Sequence, residues 1–200
     1  MNKFFSVAVG ALAFVAATLQ PAHAATVSLD YTLPTEAFDM PAGDEIKGLV
    51  QENIVGTDGV NYYYRSPFEN TSLADKKFTA VRKDASVSYD VGGLSNKVGF
   101  TWGSVDSFNM VKFYAGDVVV DWVSGATLLL QGATQGLGFV QVMLMTDFAF
   151  DRIEFSSYNN SFEIANLKIS AVPLPAALPL YGAGVFLLGF LGWRRAKARS

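Results

Sequence analysis

The sequence predicts an all-β body, an antiparallel β-sandwich of jelly-roll type, set between two apolar terminal segments. Three observations predict it. Apolar residues recur with period two through most of the interior, as half-buried strands require. The alternating runs are rich in Val, Phe and Tyr, which suit a pleated surface. Turn-forming residues interrupt them every 8 to 12 residues, so about nine short strands fit the body.

Met1-Asn2-Lys3 is a short positive opening, followed by an apolar run from Phe4 to Leu19 and the small-x-small triplet Ala22-His23-Ala24 after Pro21. This is the layout of a Sec-type signal peptide over residues 1–24, with cleavage expected after Ala24. Val27 to Leu33 then alternates cleanly, as do Ser86 to Val91 and, in part, Val98 to Trp102. Asn109 to Tyr114 and Val118 to Val123 flank Gly116-Asp117, a glycine-first pair that suits a type II′ hairpin. Leu137 to Met145 is almost continuously apolar and is expected to be a central strand. Phe150 to Phe155 and Phe162 to Ile169 close the body around the polar turn Ser156 to Ser161. Ala37 to Val55, with Pro41 and Gly43, is expected to be a surface loop. Ser66 to Ala80 is expected to be irregular, with one helical turn near Ser72 to Asp75. The near-copies Gly125-Ala126-Thr127 and Gly132-Ala133-Thr134 have the composition of loops.

The body, residues 25–171, is followed by a third kind of segment over 172–200. Val172-Pro173-Leu174-Pro175-Ala176 precedes an apolar stretch at about 177–193, and the chain closes on a basic tail, 194–200. At 1.5 Å per residue the seventeen residues from Ala177 to Trp193 span about 26 Å, close to the roughly 30 Å of a bilayer core. The basic tail would stay on the cytoplasmic side and Trp193 would sit at the interface. This predicts a transmembrane helix that holds the exported body on the far side of the inner membrane.

Proline motif, short apolar span and terminal Arg194-Arg195 together resemble the PEP-CTERM family of sorting signals in its VPLPA-CTERM variant. The resemblance covers about 28 residues and includes Gly182, Gly184, Gly189 and Gly192; Leu174 stands where the commoner form has glutamate. It implies processing by exosortase, an intramembrane cysteine protease, in a Gram-negative bacterium that makes extracellular polysaccharide. It also implies release of the body to the outer surface or biofilm matrix. A second resemblance, over roughly 70 residues, is to the ectodomain of exosortase-dependent surface proteins. It rests on Phe100 to Asn109, Phe113 to Gly116, Phe150 to Ile153 and Phe162 to Leu167. It implies an extracellular sandwich and supplies no catalytic residues.

Composition narrows the chemistry. The only histidine is His23 and there is no cysteine, so residues 25–171 contain neither. That excludes a Ser-His-Asp triad, a Cys nucleophile, a His/Cys zinc site and any disulfide. The same residues hold ten basic and eighteen acidic side chains, a net charge of −8. Nucleic acid is not an expected partner, because binding phosphate needs a basic face. Carboxylate chemistry and oxygen-ligated cations survive the exclusions. No EF-hand or nonapeptide calcium repeat occurs, so no cofactor is expected, a structural calcium ion being the one alternative.

The most site-like segment is Trp102 to Asn109. Trp102 would stack on the C–H face of a pyranose while Asp106 and Asn109 bridge its hydroxyls. The same residues also suit a tight turn in which Asp106 and Asn109 bond their own backbone and Trp102 fills the core. Tyr62-Tyr63-Tyr64, read as a strand, places Tyr62 and Tyr64 on one face, available either for stacking on sugar or for edge-strand packing. Asp147, Asp151, Glu154 and Glu163 are candidates for a glycosidase pair, and alternation places Asp151 and Glu163 on the solvent side. The expected function is a non-enzymatic surface or matrix protein that binds polysaccharide. The alternative is a secreted carbohydrate-active enzyme using a carboxylate pair.

Overall fold

Gly92-Gly93 interrupts what would otherwise be one unbroken strand, and that interruption shapes the molecule. The computed structural model describes residues 25–36, 39–61, 63–136 and 138–171. The expected signal peptide, the expected sorting signal with Val172 to Ala176 and Arg194-Arg195, and Tyr62 lie outside the described residues. Among the described residues, no helix is long and apolar enough to cross a membrane.

The described residues form nine strands and one short helix: β1 (Thr26–Asp30), β2 (Glu45–Lys47), β3 (Val50–Ile54), β4 (Phe78–Val81), β5 (Ala85–Gly103), β6 (Asn109–Ala115), β7 (Val118–Ser124), α1 (Gly125–Leu130), β8 (Phe139–Ser157) and β9 (Phe162–Ala171). Every pairing is antiparallel. The expected all-β class therefore holds. Two strands are not short: β5 and β8 have 19 residues each and pair with one another along their length.

That long ribbon is broken between Asp90 and Lys97, where the register shifts. Gly92 takes a φ of 69°, a left-handed conformation that costs glycine little and most residues more. On one side of the break β5 pairs with β2 and β8 with β6, and β7 lies beyond. On the other side β5 pairs with β9, then β4 and β3, while β8 pairs with β1. The ribbon must double over at the break. Phe100 is in register with Val142, thirteen residues along β8 from Phe155, a separation of about 43 Å in a flat strand. Yet the Phe100 and Phe155 rings lie 5.1 Å apart.

The fold-over makes the core. Val87, Tyr89, Val111, Phe113 and Phe155 from one half meet Phe100, Trp102, Val142, Leu144 and Phe162 from the other, all buried. A second cluster of Phe68, Leu73, Phe78, Ala80 and Ala165 lies apart from this core, where the turns over 66–77 cover β4 and β9. Glu163 in β9 is enclosed as well.

Several local expectations hold and others are corrected. The β6–β7 hairpin turns on Gly116-Asp117, with Ala115 opposite Val118 and Gly116 at a φ of 58°, as a glycine-first turn requires. The segment expected as a loop before Val55 contributes β2 and β3. Residues 63–66 are not strand, so Tyr63 and Tyr64 do not alternate across a sheet. Gly125-Ala126-Thr127 opens α1, because the Ser124 hydroxyl accepts the Thr127 amide and caps it.

Candidate functional site

Trp102 is fully buried, with its ring 4.4 Å from Phe162 and 5.7 Å from Phe100. Its position in β5 points it inward opposite Val140 and Ile164. It therefore fills the core and offers no face to a sugar. Asn109 is fully buried too. Its side-chain amide donates to the Ser161 carbonyl at 3.3 Å and its oxygen accepts the Ser157 hydroxyl at 2.7 Å. Asn109 is a staple between the 104–109 connection and the β8–β9 turn, not a ligand group.

Asp106 and Tyr64 keep a place at a cavity. A hollow of about 130 Å³ is bordered by Tyr64, Arg65, Ser104, Asp106, Gly136, Asn160, Ser161 and Glu163. Two chain segments clamp its rim: Ser104 donates its amide to the Gly138 carbonyl at 3.1 Å, and Gly136 to that of Val105 at 3.1 Å. Tyr64 is half-buried and packs edge-on against Phe78, with ring centroids 6.0 Å apart.

Glu163 is the unexpected member. Alternation places it on the solvent side, but only 1 % of it is exposed. One carboxyl oxygen accepts the Ser161 hydroxyl and, at 3.1 Å, the Arg65 amide; the other, Oε2, is buried without a hydrogen-bond partner. Burial pushes its pKa up to about 8; the Ser161 and Arg65 bonds oppose this and the Asp106 charge adds to it. Burial also raises Asp106, against a hydrogen bond from Gln135. Glu163 thus carries its proton at neutral pH beside a more exposed Asp106. Its role escaped the sequence pattern because the covering segment 66–77 is remote in the chain.

The other candidate carboxylates have structural partners. Asp151 accepts the Gly116 amide at 2.9 and 3.1 Å and ties down the β6–β7 turn. Glu154 pairs with Lys112 at 3.0 Å. Among the described residues no group of three or more acidic or histidine side chains converges as a metal site would require.

A second feature escaped the sequence altogether. Trp122 in β7 is opposite Lys112 in β6, which is opposite Glu154 in β8. Residues directly opposite share one face of a sheet, and this one is the outer face, since Phe113 and Ile153 on the reverse side are buried. Trp122 is 55 % exposed and Tyr158, just past β8, is 58 % exposed. Lys112 is held above its usual pKa: burial is the largest single influence and works against its charge, but the Glu154 hydrogen bond and charge, with Tyr114 and Tyr158, together outweigh it. Tyr114, two residues along β6 on the same face, lies under the Arg152 guanidinium, 4.3 Å from the ring centre. An all-apolar run, Val118 to Val123 save Asp121, disguises this exposure in the sequence.

A larger cavity of about 400 Å³ lies against the other half of the ribbon, bordered by Ser28, Asp30, Glu36, Gln141, Asn166 and Lys168 among others. Its one aromatic lining residue, Phe100, is buried in the core.

The chain matches no protein-family model, no curated protein and no solved structure.

Proposed function

We propose that this chain is an exported surface or biofilm-matrix protein that binds polysaccharide through the Trp122 face. The terminal segments support export through the Sec pathway, transient anchoring in the inner membrane and release by exosortase. The doubled β5–β8 ribbon supports reading the body as a sandwich wound in jelly-roll fashion.

One observation carries the binding role: an exposed tryptophan in register with a half-buried lysine that is itself held by the buried Glu154. An indole face stacks on the C–H side of a sugar ring, and the Lys112 ammonium supplies a donor for its hydroxyls. The net charge of −8 on the body supports a neutral rather than an anionic glycan, since like charges repel. Retention on immobilised neutral polysaccharides tests this, wild type against Trp122→Ala. Loss of retention in the variant is expected; equal retention, or none by the wild type, removes the binding role and leaves a structural one.

A carboxylate-pair enzyme is the second reading, favoured by Asp106 and Glu163 bordering one cavity. Release of reducing sugar from the same polysaccharides, abolished by Asp106→Asn, is its test.

A further inference from the structure

The cavity bordered by Glu163 shares no lining residue with the Trp122 face, and beside it lies a group with nothing to bond to. Glu163 Oε2 is buried and unpartnered in a residue that is only 1 % exposed. A buried polar atom without a partner costs roughly 1–3 kcal/mol, so a ligand that supplies the missing bond gains affinity there. The fold holds the space in place. Gly103 approaches so closely that a Cβ would lie 3.0 Å from Glu163 Cβ and from Pro67. A Cβ on Gly125 would lie 1.9 Å from the Asp106 carbonyl oxygen.

We propose that the Tyr64–Asp106–Glu163 cavity binds one neutral, hydroxyl-rich group of the size of a single sugar ring or small polyol. Adjacent hydroxyls suit it: one accepts from the Glu163 carboxyl, another donates to Asp106, and the half-buried Tyr64 ring packs on the C–H side. Burial keeps Glu163 protonated and so able to donate. A bare cation suits it less. Calcium takes six to eight oxygens, whereas here one Glu163 oxygen already accepts two hydrogen bonds. The Asn160 side-chain oxygen Oδ1 is likewise turned to the Lys83 amide, at 3.3 Å, and Arg82, at 3.4 Å. The inference extends the polysaccharide-binding reading by adding a place for a single residue or chain end.

The test uses the full chain with glycerol, glucose, galactose and mannose as probes, read by saturation-transfer NMR, and calcium chloride in a parallel titration. Saturable binding of at least one of the four is expected. It should weaken tenfold or more in Asp106→Ala and in Glu163→Leu, and stay within threefold in Glu163→Gln, whose amide still donates. Far-UV circular dichroism confirms folding, and Asp106→Ala, altered at the rim, remains decisive if Glu163→Leu does not fold. No binding of any probe, binding unchanged by Asp106→Ala, or calcium binding that Asp106→Ala abolishes overturns the proposal. Polymer retention measured alongside separates the two readings: it reports on the Trp122 face, and the small probes report on the cavity.

Discussion

The backbone carbonyl of Asp106 occupies the place where a side chain on Gly125 would begin, 1.9 Å from an ideal Cβ. The first residue of α1 thus presses on the turn that carries the cavity's more exposed carboxylate. Alanine is the better helix former by about 1 kcal/mol, but this contact is with backbone and cannot be relieved by a rotamer. Gly125→Ala is expected to destabilise the protein by about 1–3 kcal/mol, as overpacking does. A lowered denaturant midpoint with unchanged slope checks it; equal or greater stability would mean that the turn yields freely.

Glu163 makes stability depend on pH in an unusual direction for a carboxylate. Its pKa near 8 in the folded state is above the 4.5 of a solvated glutamate, so the native state keeps a proton that the unfolded chain releases. The contribution is complete below 4.5 and fades as pH rises through about 8. Asp106, also raised by burial, acts with the same sign. Denaturant midpoints should fall from about pH 5 to about pH 9, and the fall should be much smaller in Glu163→Gln. A variant with the wild-type slope would show that another group titrates.

The two tryptophans of the body should respond oppositely to truncation. Trp102→Ala empties the space against Phe162 and Phe100 and is expected to cost about 3–5 kcal/mol. Trp122→Ala, at an exposed position, should stay within about 0.5 kcal/mol of wild type. Thermal unfolding of both variants measures the contrast, and comparable losses would place Trp122 in a packed environment.

Asn109→Ala should act through connections. It leaves the Ser161 carbonyl and the Ser157 hydroxyl each short of one hydrogen bond in a buried setting, at a cost of about 1–3 kcal/mol. Because Ser161 also donates to Glu163, the pH slope ascribed to Glu163 should change in this variant. An unaltered slope in a destabilised variant would show that Asn109 steadies the turn without reaching the cavity.

Much of the sheet was legible because its signals are local. Gly116-Asp117 marks a hairpin through the conformation a glycine permits, and the apolar run ending at Met145 marks a strand paired on both edges. The short strands β2 and β3 were not legible, since Pro41 and Gly43 lie next to them and their partners are far along the chain. For the candidate site, the segment after Trp102 was found, but the roles within it were exchanged: Asp106 and Tyr64 border the cavity, while Trp102 and Asn109 support it from inside.

By itself the sequence determined that the body has no histidine, no cysteine and a strong acidic excess, because composition does not depend on folding. It also determined an antiparallel all-β class, since period-two alternation is a property of each strand alone. Only the tertiary structure decided which faces are covered. Alternation divides residues into two sides, but whether a side meets water depends on what the doubled ribbon and the 66–77 turns bring against it. That is why Glu163, on a side that alternation leaves to solvent, is enclosed, and why Trp122, in an apolar run, is not.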